Sequence, residues 1–281
     1  MPSTIQAENA VKKSTWAVIP PLVIAAALLA GCAGPALTPA PDADPAVRQI
    51  LAPTGKLRVG VYPGSPTSMI RDSVSGETKG VSFELGRELA RRLGVPFEPV
   101  VYPRLAEVLD ALKSGQVDFT VTNAAAERAK IVDFTPGVLG LELGYLVLPG
   151  SPVTALADVD RPGIRVGVSQ GSSSQGVLSR EFKHAQVIPA PTVKIAIEML
   201  SQRKVDAFAT NKGILFEMSD SLPQSRVLEG RWGLEHMAAA IPKGRDPGMG
   251  YMRAFIEQAK SEGLVTRAAE RAGLRGTVKS P

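Results

Sequence analysis

The sequence predicts an α/β fold of two lobes with a cleft between them, and three observations carry that prediction. A strand-like run occurs twice, a helix-to-strand passage occurs twice in the same order, and helix-period apolar stripes lie between the strand-like runs. Leu57-Arg-Val-Gly-Val61 returns as Ile164-Arg-Val-Gly-Val168. Each run is β-rich and leads into a loop of glycine, serine or proline, as a buried parallel strand enters its turn toward a helix. Leu112-Lys-Ser-Gly-Gln-Val-Asp-Phe119 returns as Leu200-Ser-Gln-Arg-Lys-Val-Asp-Ala207: a helix end, a turn, and a strand opening on Val-Asp. Leu85, Leu89 and Leu93 mark one helical face, closed by Gly94 and Pro96, and Leu105, Val108, Leu109 and Leu112 mark another. The halves share strand–helix–strand order, and the chain is long enough for two small lobes.

Residues 139–148 read as an extended crossover out of the first lobe, and Met237-Ala-Ala-Ala-Ile-Pro242 as a strand returning to it. Lobe one is then expected to hold residues 55–143 plus 238–281, and lobe two residues 144–237. Two crossings make a hinge, and a hinge makes a cleft that can close on a ligand. The C-terminal helices, with Met252, Phe255, Ile256, Leu264 and Val265, are expected to pack back on lobe one or brace the hinge.

At the amino terminus, Lys12 and Lys13 precede an apolar run over residues 18–29 that ends Leu29-Ala-Gly-Cys32. About a dozen apolar residues, interrupted by Pro20 and Pro21, are too few to span a bilayer and read as an export signal. Small residues before a cysteine resemble the lipobox of bacterial lipoproteins. That resemblance implies a signal peptide over 1–31, cleavage before Cys32, and a lipid anchor on Cys32; a secretory signal with an incidental cysteine is the alternative. Cys32 is the only cysteine, so the exported part can form no internal disulfide. Prolines at 35, 39, 41, 45 and 53 among alanines give residues 32–54 the look of an extended tether, with the folded part beginning near Gly55.

The formal net charge is +5, and loss of Lys12, Lys13 and Glu8 with residues 1–31 would make it +4. With no dense Lys/Arg run and 5% aromatic residues, nucleic-acid binding has little support. No second apolar stretch is long enough to span a membrane. His184 and His236 stand far apart without metal spacing, and the serine run lacks the Gly-x-Ser-x-Gly elbow of a hydrolase. No metal or other cofactor is expected.

Several short motifs stand in one order. They are Arg58-Val-Gly-Val61, Gly80-Val-Ser-Phe-Glu-Leu85, Ala111-Leu-Lys-Ser-Gly-Gln-Val-Asp118, Glu127-Arg-Ala-Lys-Ile-Val-Asp-Phe-Thr-Pro136, Val166-Gly-Val-Ser-Gln-Gly171 and Lys204-Val-Asp-Ala207. Together, over about residues 55–275, they resemble the family 3 extracellular solute-binding proteins. The resemblance implies a periplasmic-binding-protein-like fold of type II. It also implies a monomer at the membrane that captures a small carboxylate-bearing solute, a polar amino acid or related organic acid, and hands it to an ABC permease in the cell envelope.

The candidate site follows from both sources. Arg128 comes after the strand over 117–122 and the small-residue turn Asn123-Ala-Ala-Ala126, where a loop would face the cleft. A guanidinium matches a carboxylate with two charge-assisted hydrogen bonds. The residues alone leave a second reading, a solvated arginine paired with Glu127 or Asp133; the resemblance assigns Arg128 to the ligand carboxylate. Gly171-Ser-Ser-Ser174 precedes a helix-like stretch, so Ser172 and Ser173 and the amides around them make either an anion site or a flexible capped loop. The resemblance implies the former. Asn123 matches a polar family position near the carboxylate. Asn211 stands where the resemblance expects an aspartate for the ligand ammonium; an amide brings no charge, which admits organic acids, or amino acids held through other contacts, and a plain turn or cap role is the alternative. Tyr62 either stacks on the ligand or packs in the core. Leu105 and Phe134-Thr-Pro-Gly137 lack aromatics that the family places there. Two further functions share the fold: a cyclohexadienyl-dehydratase-like enzyme, for which Glu217 is the candidate acid, and a ligand sensor serving a receptor.

Overall fold

A computed structural model describes residues 43–278 except residue 73. The expected signal peptide and Cys32 lie outside the described residues. The chain begins with α1 (Pro45–Leu51), β1 (Leu57–Val61), the short pair β2 (Ile70–Arg71) and β3 (Thr78–Lys79), and α2 (Val81–Leu93). Next come β4 (Phe97–Val101), α3 (Leu105–Lys113), β5 (Thr120–Asn123), α4 (Ala126–Ala129) and the 16-residue β6 (Val132–Val147). The second half holds β7 (Arg165–Ser169), α5 (Ser173–Glu181), β8 (Gln186–Ala190), α6 (Val193–Ser201), β9 (Ala207–Asn211), α7 (Lys212–Asp220) and β10 (Arg226–Val227). β11 (Gly233–Pro242), α8 (Met249–Ser261), α9 (Leu264–Arg271) and β12 (Thr277–Val278) complete it.

The internal echo has a physical basis. β1-α2-β4-α3-β5 and β7-α5-β8-α6-β9 repeat one order, with β1 parallel to β4 and β7 parallel to β8 and β9. In lobe one, Asp118 accepts from the Arg58 backbone amide at 2.8 Å, from Arg58 Nε at 2.9 Å and from Nη2 at 2.8 Å. In lobe two, Asp206 accepts from Arg165 at the matching atoms, at 2.8, 3.0 and 2.8 Å. The Arg-Val-Gly-Val run and the distant Val-Asp pair are thus two sides of one forked clamp that joins the first strand to the third. The glycine in each run is required by packing. A Cβ on Gly60 would sit 2.9 Å from Val108, and one on Gly167 would sit 2.6 Å from Phe208.

The helices form where the apolar periodicity places them. Leu85, Leu89 and Leu93 of α2 are fully buried, and α2 ends at Gly94 in the left-handed region (φ 65°), where a glycine carries no steric cost. Lobe one packs these leucines with Leu57, Val59, Phe119, Leu141 and, from α8, Met252, Phe255 and Ile256. Lobe two holds two clusters, one around Tyr145, Val166, Val168 and Leu178 and one around Leu146, Leu200, Phe208 and Leu215.

The expected tether is a correction. Residues 45–51 are helical, with the Asp44 side chain accepting from the Ala46 amide at 2.8 Å and Pro45 in the first turn. A proline preceded by aspartate starts a helix as readily as it extends a linker, because its missing N–H is one the helix leaves unbonded anyway. Leu51 and Ala52 are buried in the lobe-one core, and Arg48 and Arg245 tie α1 to the Leu93 and Leu51 carbonyls. The packed body therefore reaches back at least to Ala43, which is also buried.

Both crossings belong to one eight-stranded sheet of order β5-β11-β6-β9-β7-β8, with β10 and β12 also on β6. β6 pairs antiparallel with β11 from Val132↔Pro242 to Leu143↔Gly233, with irregularities at Met237/Ala238 and Ala238/Ala240. The crossing strands start earlier than the sequence reading has them, at Val132 and Gly233. The C-terminal segment adds a third tie. β12 pairs with β6 at Gly140 and Leu141, while Arg275 bonds Asp220 and stacks over Phe216 of α7. Among the described residues, no helix is long and apolar enough to cross a membrane.

Candidate functional site

The strand ends and helix starts of both lobes converge on one cavity. Lobe one supplies Tyr62 after β1, Leu105 at the start of α3, Thr122 and Asn123 at the end of β5, and Arg128 on α4. Lobe two supplies Ser169, Gln170 and Ser172 before α5, Thr192 and Val193 at the start of α6, and Thr210, Asn211 and Ile214 around the start of α7. Glu235 and Met237, two apart on β11 and so on one face, line the cavity from the hinge. The cavity volume is about 40 Å³.

The lobes touch over this cavity. Arg104 Nη1 donates to Gln170 Oε1 at 3.1 Å across the cleft. Gly171 faces Ala106 so closely that a Cβ would stand 3.0 Å from its methyl group, and a Cβ on Gly64 would stand 3.0 Å from Val193. The cleft is closed.

Arg128 is 7% exposed. Its Nη1 donates to Thr122 Oγ1 at 2.8 Å and to the Asn123 carbonyl at 3.3 Å, and it makes no ion pair among the described residues. The two acids that would have made it a surface arginine are taken: Glu127 by Lys130 at 2.7 Å, and Asp133 by Lys243 at 2.5 Å. Burial pulls the Arg128 guanidinium below its ordinary pKa, with the Glu235 carboxylate and Tyr62 pulling the other way. It remains a cation at any physiological pH, held out of water with part of its donor fork unused.

The other predicted residues divide. Asn123 lines the cavity, and its Oδ1 accepts from the His236 amide at 3.2 Å. Tyr62 lines it too, half-buried, with burial pushing its phenol pKa up. Ser172 lines the cavity and is the N-cap of α5, its Oγ accepting from the Gln175 amide at 3.1 Å, which leaves the Ser173 and Ser174 amides at that helix start without intrahelical partners. Ser173 is a correction: it does not line the cavity, and its hydroxyl donates to Glu235 Oε1 in a short hydrogen bond. Asn211 lines the cavity, but not as an acceptor. It caps α7, with Oδ1 accepting from the Ile214 amide at 3.1 Å, which turns Nδ2 toward Glu235 Oε2 at 3.1 Å. Leu105 stands in the wall, whereas Glu217 on α7 lies outside the lining, half-buried, its carboxyl pKa raised by burial and by Asp220.

Glu235 is the residue that sequence reading missed. It is 6% exposed and sits two residues before the run read as the returning strand. The available signal was alternation: extending that strand back through Leu234-Glu-His puts Glu235 on the face of Met237, and a charged residue there is unusual in a buried hinge.

Two α/β lobes joined by paired crossing strands and closed over a small charged cavity define a two-lobed solute-binding protein. The model of the bacterial extracellular solute-binding proteins, family 3, matches residues 57–273, and the chain belongs to that family. It is 22% identical over 212 residues to the ABC transporter glutamine-binding protein GlnH of Bacillus subtilis, covering 74% of this chain and 77% of that one. A binding component of an ABC transporter from Wolinella succinogenes, solved with lysine, has a TM-score of 0.69 at 24% identity, over 77% of this chain and 95% of that one. An ancestral amino acid-binding protein, described as a precursor of cyclohexadienyl dehydratase, has a TM-score of 0.69 at 22% identity, over 80% and 98%. At these identities the two structures speak for the fold.

Proposed function

We propose that this protein is the solute-capturing component of an ABC importer. In this reading it is exported, anchored through an acylated Cys32 at the membrane, and monomeric. The cleft takes a small carboxylate-bearing solute, a polar amino acid or related organic acid, and the closed form docks on the permease. One observation carries the reading: Arg128 is a buried guanidinium that has no ion pair among the described residues and lines the cavity that Ser172, the N-cap of α5, also lines. A carboxylate seated there takes the unused fork of Arg128 from lobe one and helix amides from lobe two, so binding and closure favour each other. Arg104–Gln170 and the Gly171–Ala106 contact add to the closed state by joining the lobes directly.

The dehydratase reading needs a carboxylic acid in the cleft; its candidate, Glu217, lies outside the cavity lining, and the acid that does line it, Glu235, has both oxygens engaged, by Ser173 and Asn211. Incubation with prephenate or arogenate is expected to give no aromatic product.

The test is a thermal-shift screen of the purified protein against amino acids, monocarboxylates and dicarboxylates. A solute at about 100 times its Kd stabilises by about 2.7 kcal/mol, a rise of roughly 5–10 °C in Tm for a protein of this size. A screen in which no compound of these three classes raises Tm refutes the proposal.

A further inference from the structure

We infer that Glu235 is the specificity-determining residue of this cleft, the side chain that holds a cationic group on the solute opposite its carboxylate. The inference rests on the reading that the cleft binds a carboxylate at Arg128.

The charges lining the cavity give the argument. Arg104 is already answered by Glu107 at 2.8 Å and by Gln170. Two charged residues remain, Arg128 and Glu235, both nine-tenths buried and both lining the cavity. They are not an ion pair with each other, and among the described residues no lysine or arginine pairs with Glu235. A buried carboxylate without a cation is costly, and its cost is removed when a cation arrives. The site is therefore built with one positive and one negative group that attract each other across the cavity without forming an ion pair, each left with hydrogen-bonding capacity for a solute. A zwitterion answers both. A simple monocarboxylate leaves Glu235 unanswered, and a dicarboxylate also sets like charge against it.

The supports of Glu235 point the same way. Ser173 Oγ donates to Oε1 and Asn211 Nδ2 to Oε2, so each oxygen is oriented by one donor and keeps further acceptor capacity for an incoming ammonium. Both donors belong to lobe two: Ser173 opens α5 and Asn211 caps α7. Arg128 belongs to lobe one, hydrogen-bonded to the end of β5. A solute with its carboxylate on Arg128 and its ammonium on Glu235 bridges the lobes through its own two charges. The missing charge at Asn211 is thus supplied from the hinge strand, with the Asn211 amide serving to aim it.

The test measures Kd by calorimetry for the twenty L-amino acids and, for the tightest, its 2-deamino counterpart, on the wild-type chain and on Glu235→Gln. The wild type is expected to prefer the amino acid by roughly 30-fold or more. Glu235→Gln should bring that ratio to within about threefold, chiefly by weakening the amino acid, and leave the deamino acid bound as well as before or better. Ser173→Ala, which removes one orienting donor, should lower the ratio several-fold and serves in place of Glu235→Gln should that variant fail to fold. An unchanged ratio in the folded variant overturns the inference. A wild type that binds the deamino acid as tightly overturns it too, while leaving the carboxylate site at Arg128 standing; binding of neither class overturns both.

Discussion

Replacing Arg128 with alanine separates a binding residue from a structural one, because the structure predicts a small effect on the free protein and a large one on the bound. In the free protein the guanidinium is 7% exposed, its bonds to Thr122 and Asn123 both run through Nη1, and burial outweighs the attraction of Glu235. Removing it relieves a desolvated cation at the loss of two hydrogen bonds, one of them to a neutral hydroxyl. Stability of the unliganded Arg128→Ala protein should therefore change by no more than about 1 kcal/mol, in either direction. Binding is different. A carboxylate enclosed in the closed cleft without its partner costs about 3–5 kcal/mol, which raises Kd by roughly 150- to 4,000-fold. Arg128→Lys keeps the charge but not the fork and should fall between. Calorimetry with the best ligand from the thermal-shift screen, beside urea melts of the unliganded protein, reads both quantities. Kd within threefold of wild type together with a stability loss above 2 kcal/mol would make Arg128 a structural residue and refute the reasoning.

Three further outcomes follow from the packing and the charges. Leu51→Ala should cost about 2–4 kcal/mol in urea unfolding, since Leu51 is 1% exposed in the lobe-one core, and a chain that starts at residue 55 should be less stable still. Asp118→Ala should destabilise more than Asp206→Ala, by about 3–5 kcal/mol against about 1–3, because Asp118 is fully buried and also accepts from Arg245, while Asp206 serves Arg165 alone from a partly exposed position. The Arg91 hydrogen bond, helped by Arg92, holds the Glu88 carboxyl down to about 2 from an ordinary 4.5. That contribution is full above pH 5 and is lost as the pH falls toward 2, so acid melts of wild type and Glu88→Gln should converge there. With the side chain 21% exposed and screened by solvent, the gap at neutral pH should be on the order of 1–2 kcal/mol.

The sequence by itself determined the architecture of this protein. Its evidence was local and repeated: two Arg-Val-Gly-Val runs, two Val-Asp pairs, and leucines at helical spacing, each fixed by backbone geometry and by burial of one face. It also brought Arg128, Asn123, Asn211, Ser172 and Tyr62 to the cleft, because residues just after a strand end lie at the mouth of an α/β sheet wherever that sheet is built. What it misjudged depended on who sits next to whom. Pro45 looked like a linker residue until Asp44 capped it and the lobe-one core received Leu51. Asn211 looked like a missing charge, Ser173 like a contact, and Glu235 like nothing in particular. Their roles are set by a hydrogen-bonded cluster drawn from α5, α7 and β11, segments up to 62 residues apart. Periodicity records which face of an element is buried, but not which partner meets it there, and the sign and placement of charge in a cleft are decided by such partners.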